Sequence, residues 1–396
     1  NLMSLNIIMK GGKLLSEGGY GCVFFPSINC DGTSIKTKKY VSKIQKFDKS
    51  AKNEIKIGKK IKEIRTYNLF FVPVLKYCKV DVGSIEDKDI NKCTILKKNT
   101  TKNYVVMKIK YIKGFPFLDY IIKNKNNSQI LRNIINSFNH LLLCLEKLIS
   151  RNIIHYDLKS ENIMFNINLE LPHILDFGIS IDLSTFDFST IDSKLRKAFY
   201  VYAPEYYTWP LEVHYMSYLL HESEDPSNDA LLDMASRYVE GNKGLTKNFS
   251  PEFLEKFEIR CYEQLVYYKS LGLQKALEKI LSYWKTFDNY SLSIVFLKLI
   301  NYINIEGYIK NNFIIFLTKL LLQNIDPNPE RRLSIKETTH AYNGFLYKKE
   351  INDENIFEEV KELFVNNKAA INDQLDLERK IERQETITIK KFLKNL

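Results

Sequence analysis

The chain has 396 residues, 45% of them apolar and 27% charged, a balance that suits packed globular lobes and excludes an intrinsically disordered chain. Its net charge of +11 comes from 58 Lys and Arg against 47 Asp and Glu. That surplus favours acidic partners such as nucleotides, acidic proteins or nucleic acid, and a lysine-rich solvated surface accounts for it as well. No apolar run reaches the roughly 18–20 residues of a membrane span; the nearest, NNFIIFLTKLLLQNI, is interrupted by Lys319. The first residues show no signal-peptide pattern. Six cysteines, at 22, 30, 78, 93, 144 and 261, form no CxxC pair and no metal-ligand spacing with His. Reduced thiols in a cytosolic protein are therefore expected.

In chain order, residues 13–45 predict β-hairpins, with a turn at CDGT and alternating apolar positions in KYVSKIQKF. SAKNEIKIGKKIKEI predicts a lysine-rich amphipathic helix with Ile55, Ile57 and Ile61 on its apolar side. FFVPVLKYCKV and NYVVMKIKYI predict two further strands, separated by a polar loop around 84–103. Ile134, Phe138, Leu141, Leu145 and Leu148 recur at helical spacing and mark one helix face. Beyond about residue 206 helices dominate. DNYSLSIVFLKLI is apolar nearly all round, as a central core helix should be, and Ser250 before Pro251 predicts a helix start that Gly272 ends. The last 45 or so residues are charged, with a weaker helical pattern.

Four stretches carry chemistry. LSEGGYGCVF is a glycine-rich turn between strands, able to approach a phosphate without a Cβ in the way; alone it is equally a plain hairpin turn, and no GK[ST] follows it. YVSK puts Lys43 on the next strand, where it either sits at a solvated edge or reaches phosphates beneath the turn; Glu54 on the following helix is its candidate partner. IIHYDLKSENIMFN gathers His155, Asp157, Lys159 and Asn162 between two apolar runs. ILDFGIS brings Asp176 directly out of an apolar strand, about 20 residues later, where an Asp-x-Gly is either a turn or a metal ligand with Asn162.

The glycine turn, strand Lys, helix Glu, HYDLKSEN, DFG and APE (203–205) occur in the order of the eukaryotic protein kinase signature. The chain thus resembles a serine/threonine protein kinase over roughly residues 13–345, and its heavy use of Ile, Asn and Lys suits an AT-rich genome such as that of a large DNA virus. The resemblance implies an α+β, bilobal protein kinase fold: an N-lobe (1–112) of small antiparallel β-sheet with one helix, and a larger, mainly α-helical C-lobe (113–348), followed by a charged, partly helical tail (349–396). It implies ATP with Mg²⁺ (or Mn²⁺) as cofactors, and a protein substrate with a Ser or Thr acceptor. No membrane partner follows, nor a nucleic-acid one, since no recognition motif supports it. The location expected is cytoplasmic, or the host cytoplasm or virion for a viral protein.

By the same resemblance, Leu15, Ser16, Glu17, Gly18, Gly19, Tyr20, Gly21 and Cys22 would cover the nucleotide phosphates, and Val23 and Val41 would pack on the adenine. Lys43 would hold the α- and β-phosphates, paired to Glu54. The hinge would run through residues 110–112, with Lys110 and Ile112 at the adenine edge and Ile109 behind it. Asp157 would orient the acceptor hydroxyl and take its proton, Lys159 would neutralise the moving phosphoryl group, and Asn162 and Asp176 would hold the metal. Glu205 of APE would pair with Arg332, and Asp288 would open the central helix and steady the catalytic loop. Residues 206–283 would then contain an insertion, either a partner-docking surface or a passive elaboration.

The chain departs from the family pattern at several points. Ser16 replaces the first glycine of the turn, Lys43 and Glu54 are close in sequence (Glu63 is the other candidate), and Ala198 stands where a Thr usually touches the catalytic Asp and Lys. Tyr156 replaces the Arg that usually meets a phosphate on the activation segment. A pseudokinase scaffold acting through the insertion is the alternative reading; DLKSEN, DFG and APE together argue against a small-molecule kinase. Without that Arg, replacing Ser189, Thr190 and Ser193 together by Ala is expected to leave phosphotransfer within about threefold of the parent chain; loss of activity in a folded triple variant would refute this.

Overall fold

The computed structural model describes residues 12–19, 21–30, 37–80, 90–97, 103–124, 130–188, 190–303 and 312–346. Tyr20, Ser189, most of the 84–103 loop and the 349–396 tail lie outside these. The chain divides into two compact units: the described residues up to Lys113 with Leu175–Ser180, and Gly114–Ile174 with the described residues from Ile181.

The first unit is an antiparallel sheet of five strands with helices on both faces. Strands β1 (Lys13–Glu17), β2 (Gly21–Phe25), β3 (Tyr40–Lys46), β5 (Val74–Val80) and β6 (Tyr104–Lys110) lie in the order β1-β2-β3-β6-β5. The short β4 (Phe71–Val72) precedes β5. Alternation along each strand gives the sheet two apolar faces. Helix α1 (Lys49–Lys62) begins at Asp48, whose carboxylate accepts from the Ala51 N–H at 3.1 Å. Its buried stripe, Ala51, Glu54, Ile55, Gly58 and Ile61, packs through Ala51 and Ile55 on Val74, Val105 and Met107. The opposite face carries Cys22, Phe24, Ile44, Tyr104 and Val106, covered by Cys93 and Leu96. Leu96 belongs to α2 (Thr94–Lys97), a helical turn within what the polar composition predicted as loop.

The cysteines correct the expectation of reduced thiols. Cys22 is bonded to Cys93 and Cys30 to Cys78, while Cys144 and Cys261 are free and buried. Spacing gave no hint of this, because the partners are 71 and 48 residues apart and each pair joins a strand residue to one in a connection.

The second unit is mainly helical. It opens with β7 (Gly114–Pro116), α3 (Phe117–Lys123), α4 (Ile130–Ile149) and β8 (Ile153–Ile154). Then come β9 (Ile163–Asn166), β10 (Leu171–Leu175), β11 (Ile181–Asp182) and α5 (Ser193–Ala198). Strands β7, β9 and β10 pair antiparallel, as do β8 and β11. Helices α6 (Leu211–His221), α7 (Asn228–Gly241), α8 (Lys243–Thr246), α9 (Pro251–Leu271) and α10 (Leu273–Ser282) follow. Next are α11 (Phe287–Ile303), α12 (Asn312–Asn324) and α13 (Ile335–Leu346).

Its core forms around α11, which buries Tyr290, Leu292, Ile294, Phe296 and Leu297. Phe296 meets Phe138 of α4 edge-on at 4.7 Å, and Phe138 meets Tyr342 of α13 at 4.8 Å. The predicted α4 face is the buried one: Ile134, Phe138, Leu141, Leu145 and Leu148 are at most 2% exposed. Ser250 caps α9, its hydroxyl accepting from the Phe253 N–H, and Gly272 ends the helix at φ 72°.

One predicted pairing is overturned. Arg332 does not meet Glu205; it makes a bidentate pair with Glu212 of α6, at 2.6 and 2.9 Å, with both side chains fully buried. Glu205 is exposed and bonds Arg237 of α7 instead. A buried guanidinium requires a partner that is itself buried and planar, and Glu212 in the first turn of α6 meets that condition. The anchor therefore lies at PLE (210–212), seven residues beyond APE, and helices α6–α10 fill the stretch between Glu212 and Asp288. Glu212→Gln, which leaves Arg332 charged and buried, is expected to destabilise the fold by about 3–5 kcal/mol, and Glu205→Gln by less than about 1 kcal/mol. Denaturant unfolding of the two variants checks the contrast.

Candidate active site

In the first unit the polar residues converge on one ammonium. Lys43 lies on β3, opposite Val23 of β2 and Met107 of β6, so its side chain leaves the same sheet face as those residues. Its Nζ is 2.8 Å from Glu54 Oε2 and 2.9 Å from Asp176 Oδ1. The pairing with Glu54 arises because Glu54 lies on the buried stripe of α1, one step from Ile55. Burial alone would lower the Lys43 pKa, but the charges of Asp176 and Glu54 outweigh it and hold it above the ordinary lysine value. Glu54 is pushed up to about 7: burial raises it, Lys43 pulls it back, and the second carboxylate, Asp176, raises it further.

Asp176 has φ 63°, in the left-handed region, and the chain after it is fastened by two α1 residues that the motif reading did not single out. Asn53 Nδ2 donates to the carbonyls of Ser180 at 2.8 Å and Gly178 at 3.2 Å, and Ser50 Oγ donates to Gly178 at 3.3 Å. Phe177, 1% exposed, packs edge-on against Phe71. Asn53 adjoins Glu54 in sequence, which is the only hint the sequence offers.

The glycine-rich turn joins β1 to β2, with the Gly18 N–H donating to Gly21 O at 2.9 Å. Glycine is obligatory at 21, where β2 runs so close to β3 that a Cβ would lie 2.2 Å from Ile44 O. Leu15, Ser16 and Glu17 are exposed around the turn. Val23 and Val41 share the Lys43 face, with Val41 opposite Ile109. Lys110 is exposed and Ile112 is 7% exposed; between them the Tyr111 N–H donates to Lys39 O at 2.9 Å. Cys22 points to the other face, tied to Cys93, so only its backbone remains on the turn side. Glu17, its partner across the hairpin, accepts from both N–H and hydroxyl of Thr94.

In the second unit, Asp157, Lys159 and Asn162 come together after β8. Asn162 Nδ2 donates to Asp157 Oδ2 at 3.0 Å and to its carbonyl at 2.8 Å. That use of the amide nitrogen leaves Asn162 Oδ1 as an oxygen donor of the type Mg²⁺ takes, and the Asp176 carboxylate is of the same hard class. Lys159 Nζ is 3.0 Å from Asp157 Oδ1; burial lowers its pKa, and the Asp157 charge more than restores it. Asp288 holds the loop backbone from below, its Oδ2 accepting from the His155 N–H at 2.7 Å and its Oδ1 from the Tyr156 N–H at 3.1 Å. A further hydroxyl stands on the same carboxylate: Tyr206 donates to Asp157 Oδ1 at 2.5 Å and accepts from Lys159 at 3.3 Å. The sequence pattern assigned that place to Ala198, which ends α5 and has no hydroxyl. Carrying the reference from APE to PLE moves that place by seven residues, to Glu205, which bonds Arg237, and the hydroxyl comes from its neighbour Tyr206.

A family model described as protein kinase domain matches residues 9–207. A probable serine/threonine-protein kinase of Dictyostelium discoideum is 33% identical over 127 residues, 28% of this chain and 18% of that protein, so the match spans under a fifth of the relative's length. The autoinhibited serine kinase domain of the giant muscle protein titin aligns over 86% of this chain and 81% of its own, with 15% identity and a TM-score of 0.42. Among the described residues no helix is long and apolar enough to cross a membrane. With half of its length matched by that family model, and with its five-stranded antiparallel sheet and mainly helical second unit, the chain belongs to the protein kinase domain family and has the protein kinase fold.

Proposed function

We propose that the chain is a serine/threonine protein kinase that transfers the γ-phosphate of ATP to a protein hydroxyl. The observation that carries this reading is the Lys43 ammonium bonded at once to Glu54 and Asp176, which supports a lysine prepared for the α- and β-phosphates. In the proposed reaction, Asp157 orients the acceptor hydroxyl and takes its proton. The Lys159 ammonium offsets the charge of the phosphoryl group as the bond to the leaving diphosphate breaks. Asn162 and Asp176 would hold Mg²⁺, which supplies charge neutralisation at the phosphates when bound. The turn from Leu15 to Cys22, including Tyr20, would cover the phosphates. Val23, Val41, Lys110 and Ile112 would meet the adenine, and DLKSEN, with Lys159 two residues after Asp157, supports Ser and Thr as acceptors. The division proposed for the chain remains an N-lobe over 1–112, a C-lobe over 113–348 and a tail over 349–396.

Labelled ATP with Mg²⁺ and generic protein acceptors tests the reading: the parent chain is expected to yield phosphoserine and phosphothreonine, and Asp157→Ala to lower the rate about 10²–10⁴-fold. No transfer by the folded parent chain would replace this reading with a binding scaffold.

A second expectation concerns pH. Glu54 carries a folded-state pKa of about 7 against the ordinary 4.5, so the folded chain holds an extra proton between those values. Its contribution to stability is therefore greatest on the acid side and is lost as pH rises through 4.5 to 7. Lys43, held above its ordinary value, stays protonated across that range. Relative to Glu54→Gln, which has no such titration, the parent chain should lose up to about 3 kcal/mol between pH 5 and pH 8. Parallel unfolding at the two pH values measures the difference, and an identical slope in both proteins would refute it.

A further inference from the structure

One departure from the family pattern in the catalytic region, Tyr156, sits in an aromatic cluster with Phe199, the residue that follows the other departure, Ala198. Tyr156 is 5% exposed and has φ 69°, a left-handed conformation that a bulky side chain holds only under restraint. Its ring stacks on Trp209 at 4.6 Å and meets Phe199 edge-on at 5.6 Å, and Trp209 Nε1 donates to the Tyr156 carbonyl at 2.5 Å. Trp209 in turn meets Tyr206 edge-on at 4.8 Å. The Tyr206 phenol is thus fixed from behind, while in front its hydroxyl touches Asp157 Oδ1 and Lys159 Nζ.

We infer that Tyr206 is a positioning residue for phosphoryl transfer, an inference that rests on the kinase reading above. Its hydroxyl donates to the oxygen of Asp157 that also faces Lys159, and the remaining Asp157 oxygen is held by Asn162. Carboxylate and ammonium are thereby locked at one separation, and the acceptor hydroxyl meets a base with one orientation. Burial first, and the adjacent Asp157 charge next, keep the phenol protonated, so that it remains a donor at any physiological pH. Trp209 and Tyr156 supply the brace: an Arg that paired with a phosphate would order this segment conditionally, whereas stacked rings do so permanently.

The chemistry distinguishes this role from that of an acceptor. A hydroxyl awaiting phosphate must leave Asp157 during turnover, whereas a positioning hydroxyl must stay. Tyr206→Phe removes one oxygen and keeps the ring on Trp209. It is expected to lower kcat about 10–100-fold, the size of one lost charge-assisted hydrogen bond. KM for ATP should stay unchanged and Tm fall only modestly, whereas a purely structural role would move Tm and KM and spare kcat. Tyr206→Ala, which also removes the brace, is expected to lower both kcat and Tm. A kcat for Tyr206→Phe within twofold of an active parent chain would overturn the inference and leave the kinase reading standing. So would phosphate recovered on Tyr206 after incubation with ATP and Mg²⁺. A folded parent chain that transfers no phosphate would overturn both.

Discussion

An ammonium with almost no access to water is tolerable only while its charge is answered, and Lys43 is answered twice. That requirement reaches well beyond the pair. Glu54 arrives at Lys43 only if α1 is docked on the sheet through Ala51 and Ile55, and Asp176 arrives only if the 175–180 segment is folded against the same unit. Asn53 and Ser50 secure that segment by its carbonyls, and Phe177 secures it by its ring. Strand register, helix docking and the position of the DFG segment are therefore three statements of one electrostatic condition. Burial first, and the Asp176 charge after it, hold the Glu54 proton well above the usual range, and two carboxylates on one ammonium leave a net negative charge. That charge is why a divalent cation at Asp176 would suit the cluster better than the protein groups alone.

The second unit solves a different problem: holding a strained loop still. Tyr156 in the left-handed region costs of order 1–3 kcal/mol, and the surroundings over-determine it. Asp288 takes the N–H groups of His155 and Tyr156 from one side, and Trp209 takes the Tyr156 carbonyl from the other. Three residues on, the Glu212–Arg332 pair pins the start of α6 from within the core. A chain fixed at both ends over so short a distance has little freedom between Tyr206 and Glu212, and that stiffness delivers the phenol to Asp157.

What could be read from the amino acids alone divides along a physical line. Periodicity located α4, because its buried face is written in residues four and three apart, and apolarity nearly all round located α11. Motif order singled out Lys43, Glu54 and Asp176, which bond one another, and Asp157 and Asn162, which bond each other. The letters APE misled because a three-residue match carries no burial: Glu205 is solvated, while Glu212, in the less familiar PLE, is the carboxylate with no exposure. The disulfides and the Glu17–Thr94 contact were illegible for a similar reason. They depend on which residues meet across strands and loops far apart in sequence, and the polarity around 84–103 concealed the apolar turn at Leu96 that covers the sheet.

Tyr206 marks the limit of motif reading most clearly. At Ala198 a pattern search finds a missing hydroxyl, and at Tyr156 it finds a missing charge and infers independence of activation-segment phosphorylation. Each substitution read alone is a loss. Taken together with Trp209 they are one exchange: the cationic residue gives way to a ring, the ring stacks on an indole, and the indole backs a phenol that restores the hydroxyl from a different backbone position. Such an exchange is coherent only if all three aromatic residues are present, since Tyr156 without Trp209 would leave its carbonyl and its φ unsupported, and Trp209 without Tyr206 would brace nothing. The coupling among them, rather than the identity of any one, is what keeps Asp157 and Lys159 in register.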